Sequence, residues 1–364
     1  MNVKRYEMNE YNGAAVAEAY SIPAAVDLFC EGGAKKESQL AMDAFEGGWG
    51  TVVLAPQKGA AADVRALKAE RLLCEEVPGA EVLPLPSALR ADGGMADIGR
   101  MCAEGERLFC LPGGFMDLKR LRALFCYASA FPVRIAFRPC LMELCEGGQI
   151  SEGMTADRLG MKGLPAVAES LAAEMLLTLA SEYGVPVHVR TVSCAATLAA
   201  VERARAAGLD VTCDVAIANL LHTDEDIRVE SLDGEFKVFP PLRSPAEQAA
   251  LWNALAAGKI DAVVSNHRAR GADELALPFE QIPFGSEKLS MALSDLLNSW
   301  EKLGRPCMLD RLCEALSAGP RRILGGAESA ASQLLDDVGS TLLIRTADGW
   351  TVEYDVLKEA DQYE

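Results

Sequence analysis

The sequence predicts a (β/α)8 TIM barrel carrying a small β appendage built from the N- and C-termini. Three observations support that prediction. Short, almost continuously apolar runs recur along the chain, as expected for strands covered on both faces of a parallel sheet. Amphipathic or Ala-rich helical segments separate them, so each strand is followed by a crossover helix. Eight such units fit a closed barrel better than an open, doubly wound sheet.

The eight strand segments are AAVDLF (24–29), TVVLA (51–55), EVLPL (81–85), RLFCL (107–111), VRIAF (133–137), VHVRTV (187–192), DVTCDVAI (210–217) and IDAVVS (260–265). Among the intervening helices are ESQLAMDAFEGG (37–48), LKRLRALFCYASA (118–130), AVAESLAAEMLLTLASEYG (166–184) and AATLAAVERARAAG (195–208), the last stopping at a C-cap glycine, Gly208. Further helices are expected at 286–303 and 308–318, and STLLIRTADGWTVEY (340–354) reads as a hairpin with Asp348-Gly349 at its turn. The first 22 residues are expected to add a strand or two beside that hairpin. The barrel then spans 23–330, and 1–22 with 331–364 form a β-sandwich-like appendage. The irregular stretches 146–165 and 266–285 both follow strands and belong to the functional rim.

Composition narrows the function. The chain has 364 residues and a formal net charge of −18. An acidic surface repels phosphate backbones and anionic lipid, so neither nucleic acid nor a membrane surface is an expected partner. No apolar run is long enough to span a bilayer, and the start, MNVKRYEMNEYNG, has no secretory apolar core. The 11 cysteines form no Cys-x-x-Cys pair and read as buried free thiols of a cytoplasmic protein. Only three histidines are present: His188, His222 and His267.

Barrel chemistry sits at the C-terminal ends of the strands. Asp27 and Glu31 end the first strand and could bring two carboxylates to one mouth, although lone acids on a rim are more often ion-paired than catalytic. His188 lies within the sixth strand, on the face opposite Thr191, and reads as a packed, hydrogen-bonded residue. His222 precedes the cap-like Thr223-Asp224-Glu225-Asp226. His267, after Asn266 at the end of the eighth strand, is the best functional candidate of the three. Ser193-Cys194 lacks a nucleophile elbow, and EGGWG and PGGF fit no phosphate-loop spacing.

Several segments together resemble the dihydroorotase branch of the cyclic amidohydrolases, of the type found in multifunctional pyrimidine complexes. They include IPAAVDL (22–28), GGWGTVVLAP (47–56), VHVRTVSCAATL (187–198), VTCDVAIANLLHTDEDI (211–227), FKVFPPLRSPAEQ (236–248), GKIDAVVSNHRAR (258–270), LPFEQIPFG (277–285) and PRRILG (320–325). The resemblance implies a zinc-dependent barrel with a small β-sandwich from the termini. It also implies site positions, and here the chain departs from the pattern. The Asp-x-His-x-His run keeps Asp27 but has Phe29 and Glu31 in place of its histidines. The strand-4 aspartate region falls on Leu111 and Pro112, the strand-5 histidine on Phe137 and the strand-6 histidine on Thr191. The strand-8 aspartate, ligand and general base in the family, is Asn266. Substrate-holding positions fall on Gly33, Gln57 and Phe239.

Phenylalanine offers no lone pair to a metal, and Thr, Asn and Leu do not replace imidazole on zinc. Asn266 has no useful basicity. The resemblance therefore implies a catalytically silent relative with no predicted catalytic residue, no metal and no cofactor, and Phe29, Phe137 and Phe239 are expected to fill part of the former metal cavity. Similar inactive chains assemble with aspartate carbamoyltransferase in some bacteria, so that enzyme is the expected partner, in an oligomer. Two alternatives stand beside this. One is a divergent cyclic amide hydrolase with a displaced mononuclear metal on Asp27, Glu31 and His267. The other is a small-molecule sensor using the barrel mouth.

Overall fold

The computed structural model describes residues 3–31, 37–56, 61–74, 77–113, 117–228, 232–286, 288–325 and 339–355. Eight parallel strands form the barrel wall: β1 (Ala25–Cys30), β2 (Trp49–Leu54), β3 (Glu81–Pro84), β4 (Leu108–Cys110), β5 (Arg134–Phe137), β6 (Val187–Val189), β7 (Val211–Ala216) and β8 (Ala262–Val264). They pair in sequence order as two arcs, β1-β2-β3 and β4-β5-β6-β7-β8. Two parallel bridges close the arcs into a ring, Ser87 with Cys110 and Glu31 with Arg268. At the second seam Glu31 N donates to His267 O at 2.7 Å, joining the end of β1 to the segment after β8.

Helices cover the outside because their apolar faces match the apolar strands. In α1 (Leu118–Ala128), Leu121, Leu124, Phe125 and Ala128 recur at three- and four-residue spacing, and all are buried. Asp117 starts that helix by accepting from Arg120 N at 3.1 Å. Helix α2 (Ala166–Tyr183) stops at Gly184, which takes the left-handed conformation at φ 64° that favours glycine. Helix α3 (Ala195–Ala206) packs beside it, and Gly208 follows at φ 92°.

The termini meet in one antiparallel sheet in the order Lys4–Arg5, Glu18–Pro23, Ser340–Thr346, Gly349–Asp355. Among the described residues this is a single four-stranded sheet with a short hairpin beside it, rather than a two-layer sandwich. Residues 331–338 and 356–364 of the expected appendage lie outside the described residues. Thr341 Oγ1 ties the sheet to the barrel, accepting from Ala25 N and donating to Gly48 O, each at 2.8 Å. Helix α4 (Ala292–Lys302) supports it from below, through Trp350 N to Asn298 Oδ1 at 2.9 Å.

Three expectations are corrected. The hairpin turn is Ala347-Asp348, one residue earlier than expected, because Gly349 already pairs with Thr346. Gly349 sits at φ 126°, where a Cβ would stand 2.7 Å from Asn298 Oδ1. The helix expected at 286–303 covers only Ala292–Lys302. The stretch 146–165 is not wholly irregular: Ile150–Ser151 pairs with Gly163–Leu164 around a helix at Met154–Leu159.

Candidate functional site

The barrel interior at the strand ends is a buried polar network. Asp27 on β1 is fully buried and accepts from Ser265 N at 2.7 Å and from the Ser265 hydroxyl. Burial pushes its carboxyl up to about 7, and Asp214 adds to the rise. On β7, Asp214 Oδ1 accepts from Thr191 N at 2.6 Å, and Oδ2 lies 2.7 Å from His188 Nε2. His188 Nδ1 is 2.8 Å from Thr212 Oγ1, so both ring nitrogens are engaged. This is the packed, hydrogen-bonded histidine that the alternation along β6 predicts.

Phe29 lies in the middle. Its ring stacks on His188 with centroids 5.2 Å apart, and the guanidinium carbon of Arg190 is 4.4 Å from the ring centre. Arg190 also donates to Phe29 O at 3.2 Å. Nearer the mouth, Arg138 donates to Asn266 Oδ1 at 2.9 Å and pairs with Glu31 at 3.3 Å. Asn266 Nδ2 donates to Phe239 O at 2.9 Å. Arg268 approaches the other oxygen of Glu31 at 3.8 Å. Burial would raise the Glu31 carboxyl, but Arg138, Arg190 and Arg268 outweigh it and hold it below the ordinary range. Burial, with the neighbouring Arg190 charge, lowers Arg138 to about 10 against the opposing pull of Glu31 and Asp214. Nε of Arg138, Nε of Arg190 and Oγ1 of Thr191 are buried with no hydrogen-bond partner among the described residues.

The backbone marks the same places. Phe29, Thr191 and Asn266 have φ of 61°, 49° and 54°. Left-handed backbone costs a non-glycine residue about 1–3 kcal/mol and persists where surrounding structure imposes it, often at functional sites. These three residues fall on positions that the resemblance assigns to metal ligands.

Above the network, a cavity of about 240 Å³ opens at the mouth. Its polar lining is Glu31, Arg138, Asn266 and Arg268, and its walls include Met142, Cys145, Leu164, Phe239 and Phe284. Phe29 and Phe137 are buried, but Phe239 does not join them in filling the interior. It instead meets Phe284 at 5.5 Å on the cavity wall. Leu111 is buried in the core and Pro112 half-buried beside it. Gly33 and Gln57 lie outside the described residues.

Asp27 and Glu31 do not share one mouth: Asp27 is fully buried and bonded to Ser265, and only Glu31 lines the cavity. Asp27, Glu31 and His267 do not gather into a metal-holding group among the described residues. His267 is buried, with its backbone N donating to Ser265 Oγ at 2.9 Å. His222 is half-buried, with Nδ1 3.7 Å from Asp226, beside the expected capping box of Thr223 and Asp226. The residues do not fit zinc. The strand ends present Phe, Thr and an amide, and Glu31 is committed to cations. Arg190 places fixed positive charge against Phe29, where a cation would be repelled.

Arg138, Arg190 and Asp214 were not singled out in the sequence, although Arg138 directly follows one expected strand and Arg190 and Asp214 lie within two others. For the two arginines the signal is a cation within or just after an apolar run, which spacing alone does not distinguish from a rim residue.

Relatives of known sequence and fold agree with the architecture. A putative dihydroorotase of Rhodopirellula baltica is 32% identical over 295 residues, covering 78% of this chain and 62% of that protein. A dihydroorotase-like protein of Pseudomonas aeruginosa is 34% identical over 235 residues, covering 63% of this chain and 55% of that protein. A solved D-hydantoinase shares the fold with a TM-score of 0.73 at 18% identity, over 89% of this chain and 76% of that one. The chain is a dihydroorotase-like protein of the cyclic amidohydrolase family. It spans less than two thirds of the length of these two dihydroorotase relatives. The dihydroorotase-like barrel is also similar in fold to the inactive dihydroorotase-like domain of a Chaetomium thermophilum CAD-like multifunctional protein, with a TM-score of 0.58 at 17% identity over 89% of this chain and 84% of that one. No family model matches the chain. No helix among the described residues is long and apolar enough to cross a membrane.

Proposed function

We propose that this dihydroorotase-like chain has lost the family's metal-dependent hydrolysis and serves as a structural or regulatory scaffold for aspartate carbamoyltransferase in pyrimidine synthesis. The observation that supports it best is the pairing of strained backbone with inert side chains. Phe29, Thr191 and Asn266 keep left-handed conformations at strand ends, yet none brings an imidazole or a carboxylate. Hydrolysis of a cyclic amide needs a metal-bound water and a base to move its proton. In this chain Asp27, the remaining carboxylate of the strand-1 run besides Glu31, is fully buried and bonded to Ser265.

Assembly with the transferase rests on the resemblance, and the acidic surface suits a partner face of opposite charge. Co-expression followed by size-exclusion chromatography tests it. A single large complex at micromolar concentration is expected, and two separate peaks would end the scaffold reading in this form.

A second reading, a ligand sensor, is favoured by the mouth cavity with its two arginines, one carboxylate and aromatic wall. Thermal shift against pyrimidine intermediates tests it, since a ligand bound only by the folded chain raises Tm.

A further inference from the structure

The cavity wall carries two thiols that the reading above does not use. Cys140 follows the end of β5 and Cys145 ends the one-turn helix Met142–Cys145. Both are buried as free thiols, and their sulfurs lie 3.4 Å apart. A disulfide needs about 2.05 Å, so a small movement of one short segment would close the bond. The chain beside them can supply it: Gly147 follows at φ 70°, and Gly148 N holds Cys145 O at 2.9 Å. Cys145 lines the mouth cavity, which gives a small reagent a route to it. Cys140 lies behind it, packed with Leu164 and Ala168.

We propose that Cys140 and Cys145 form an oxidisable dithiol, a modification site that closes to an intramolecular disulfide in the wall of the barrel mouth. The oxidant is a low-molecular-weight disulfide. The Cys145 thiolate attacks one of its sulfurs, breaking that S–S bond and releasing one thiol. The Cys140 thiolate then attacks the Cys145 sulfur of the mixed disulfide and releases the second thiol. Two protein thiols are oxidised, the reagent disulfide is reduced to two thiols, and the two cysteine protons pass to the leaving thiolates. Burial and the adjoining thiol raise Cys140 above the ordinary range, so the second step is slow near neutrality and faster in alkali.

Tryptic mapping tests this on the full chain. Cys140 and Cys145 fall together on the peptide 135–158, which holds no other cysteine, because Arg138 precedes proline. After treatment with oxidised glutathione, that peptide is expected to lose two hydrogens without gaining an adduct. Exposed Cys126, on the peptide 123–134, gains one and reports that the reagent acted. In Cys140→Ser the peptide is expected to carry glutathione on Cys145 instead. The proposal fails if Cys126 is modified while 135–158 keeps both thiols, or if the wild-type peptide holds a stable glutathione adduct. This outcome is independent of whether the chain binds a transferase.

Discussion

The Arg190 guanidinium lies 4.4 Å over the Phe29 ring and donates to the Phe29 carbonyl at 3.2 Å. One side chain thus holds both the ring and the backbone of the residue that stands at a first-histidine position of the family's metal site. A buried cation over an aromatic face is worth about 2 kcal/mol when desolvated. Arg190→Met, which keeps the bulk and removes the charge and the donors, is expected to cost about 2–3 kcal/mol. Chemical denaturation measures this, and an unchanged midpoint would show that Arg190 does not hold Phe29 in place.

Asp27 makes stability depend on pH. Its folded carboxyl is raised to about 7 from an unfolded value near 3.8, chiefly by burial. Below the unfolded value both states are protonated and the group contributes no penalty. As pH rises from about 4 to 7 the unfolded carboxyl ionises first and stability is lost, levelling off above the folded pKa. Asp27→Asn removes this term while keeping an acceptor for Ser265. Its stability relative to wild type is expected to rise by an amount on the order of 4 kcal/mol between pH 4 and pH 8. A pH-independent difference would contradict a raised Asp27.

Thr191 holds φ 49° with a buried hydroxyl that has no partner among the described residues. Thr191→Gly relieves the backbone and removes the orphan hydroxyl, offsetting a lost methyl and added chain entropy. The variant is expected to match wild type within about 1 kcal/mol, whereas Val189→Gly in the extended part of the strand costs about 3 kcal/mol. Equal losses at both positions would remove the case for strain at Thr191.

A second buried charge network braces the rim. Arg243 donates to Ser193 Oγ at 3.1 Å, Ser151 Oγ at 3.2 Å and Leu164 O at 2.8 Å, and lies 3.7 Å from Glu169. Glu169 in turn accepts from Ser193 N at 2.9 Å. Arg243→Met leaves Glu169 buried without its cation and is expected to destabilise by about 3–5 kcal/mol. A loss below 1 kcal/mol, read from urea midpoints, would mean that water already satisfies the network.

Much of the barrel was legible because the strands are mostly apolar and buried, and helical segments with ordinary helix signals alternate with them. All eight strand segments lie where alternation of apolar runs and helices predicts them. The candidate site was legible only along the chain. Asp27 and Glu31 look like neighbours in sequence, but Asp27 is fully buried and Glu31 lies at the mouth. The pairing of His188 with Asp214 joins adjacent strands 26 residues apart, and no local spacing announces it. Arg138 and Arg190 were hidden for a different reason: a cation within or just after an apolar run reads as a surface residue until the barrel closes around it. Phe239 was assigned to the interior because it aligns with a substrate position, yet its carbonyl is held by Asn266 and its ring turns to Phe284.

Elemental analysis of metal per chain, on protein purified without chelator and without a metal-binding tag, tests the central claim most directly. Well under one zinc per chain is expected, because Phe29, Phe137, Thr191 and Asn266 provide no ligand set and Arg190 brings positive charge to the same space. One or more tightly held zinc ions per chain would contradict the loss of the metal site and return the protein to substrate screening as a hydrolase.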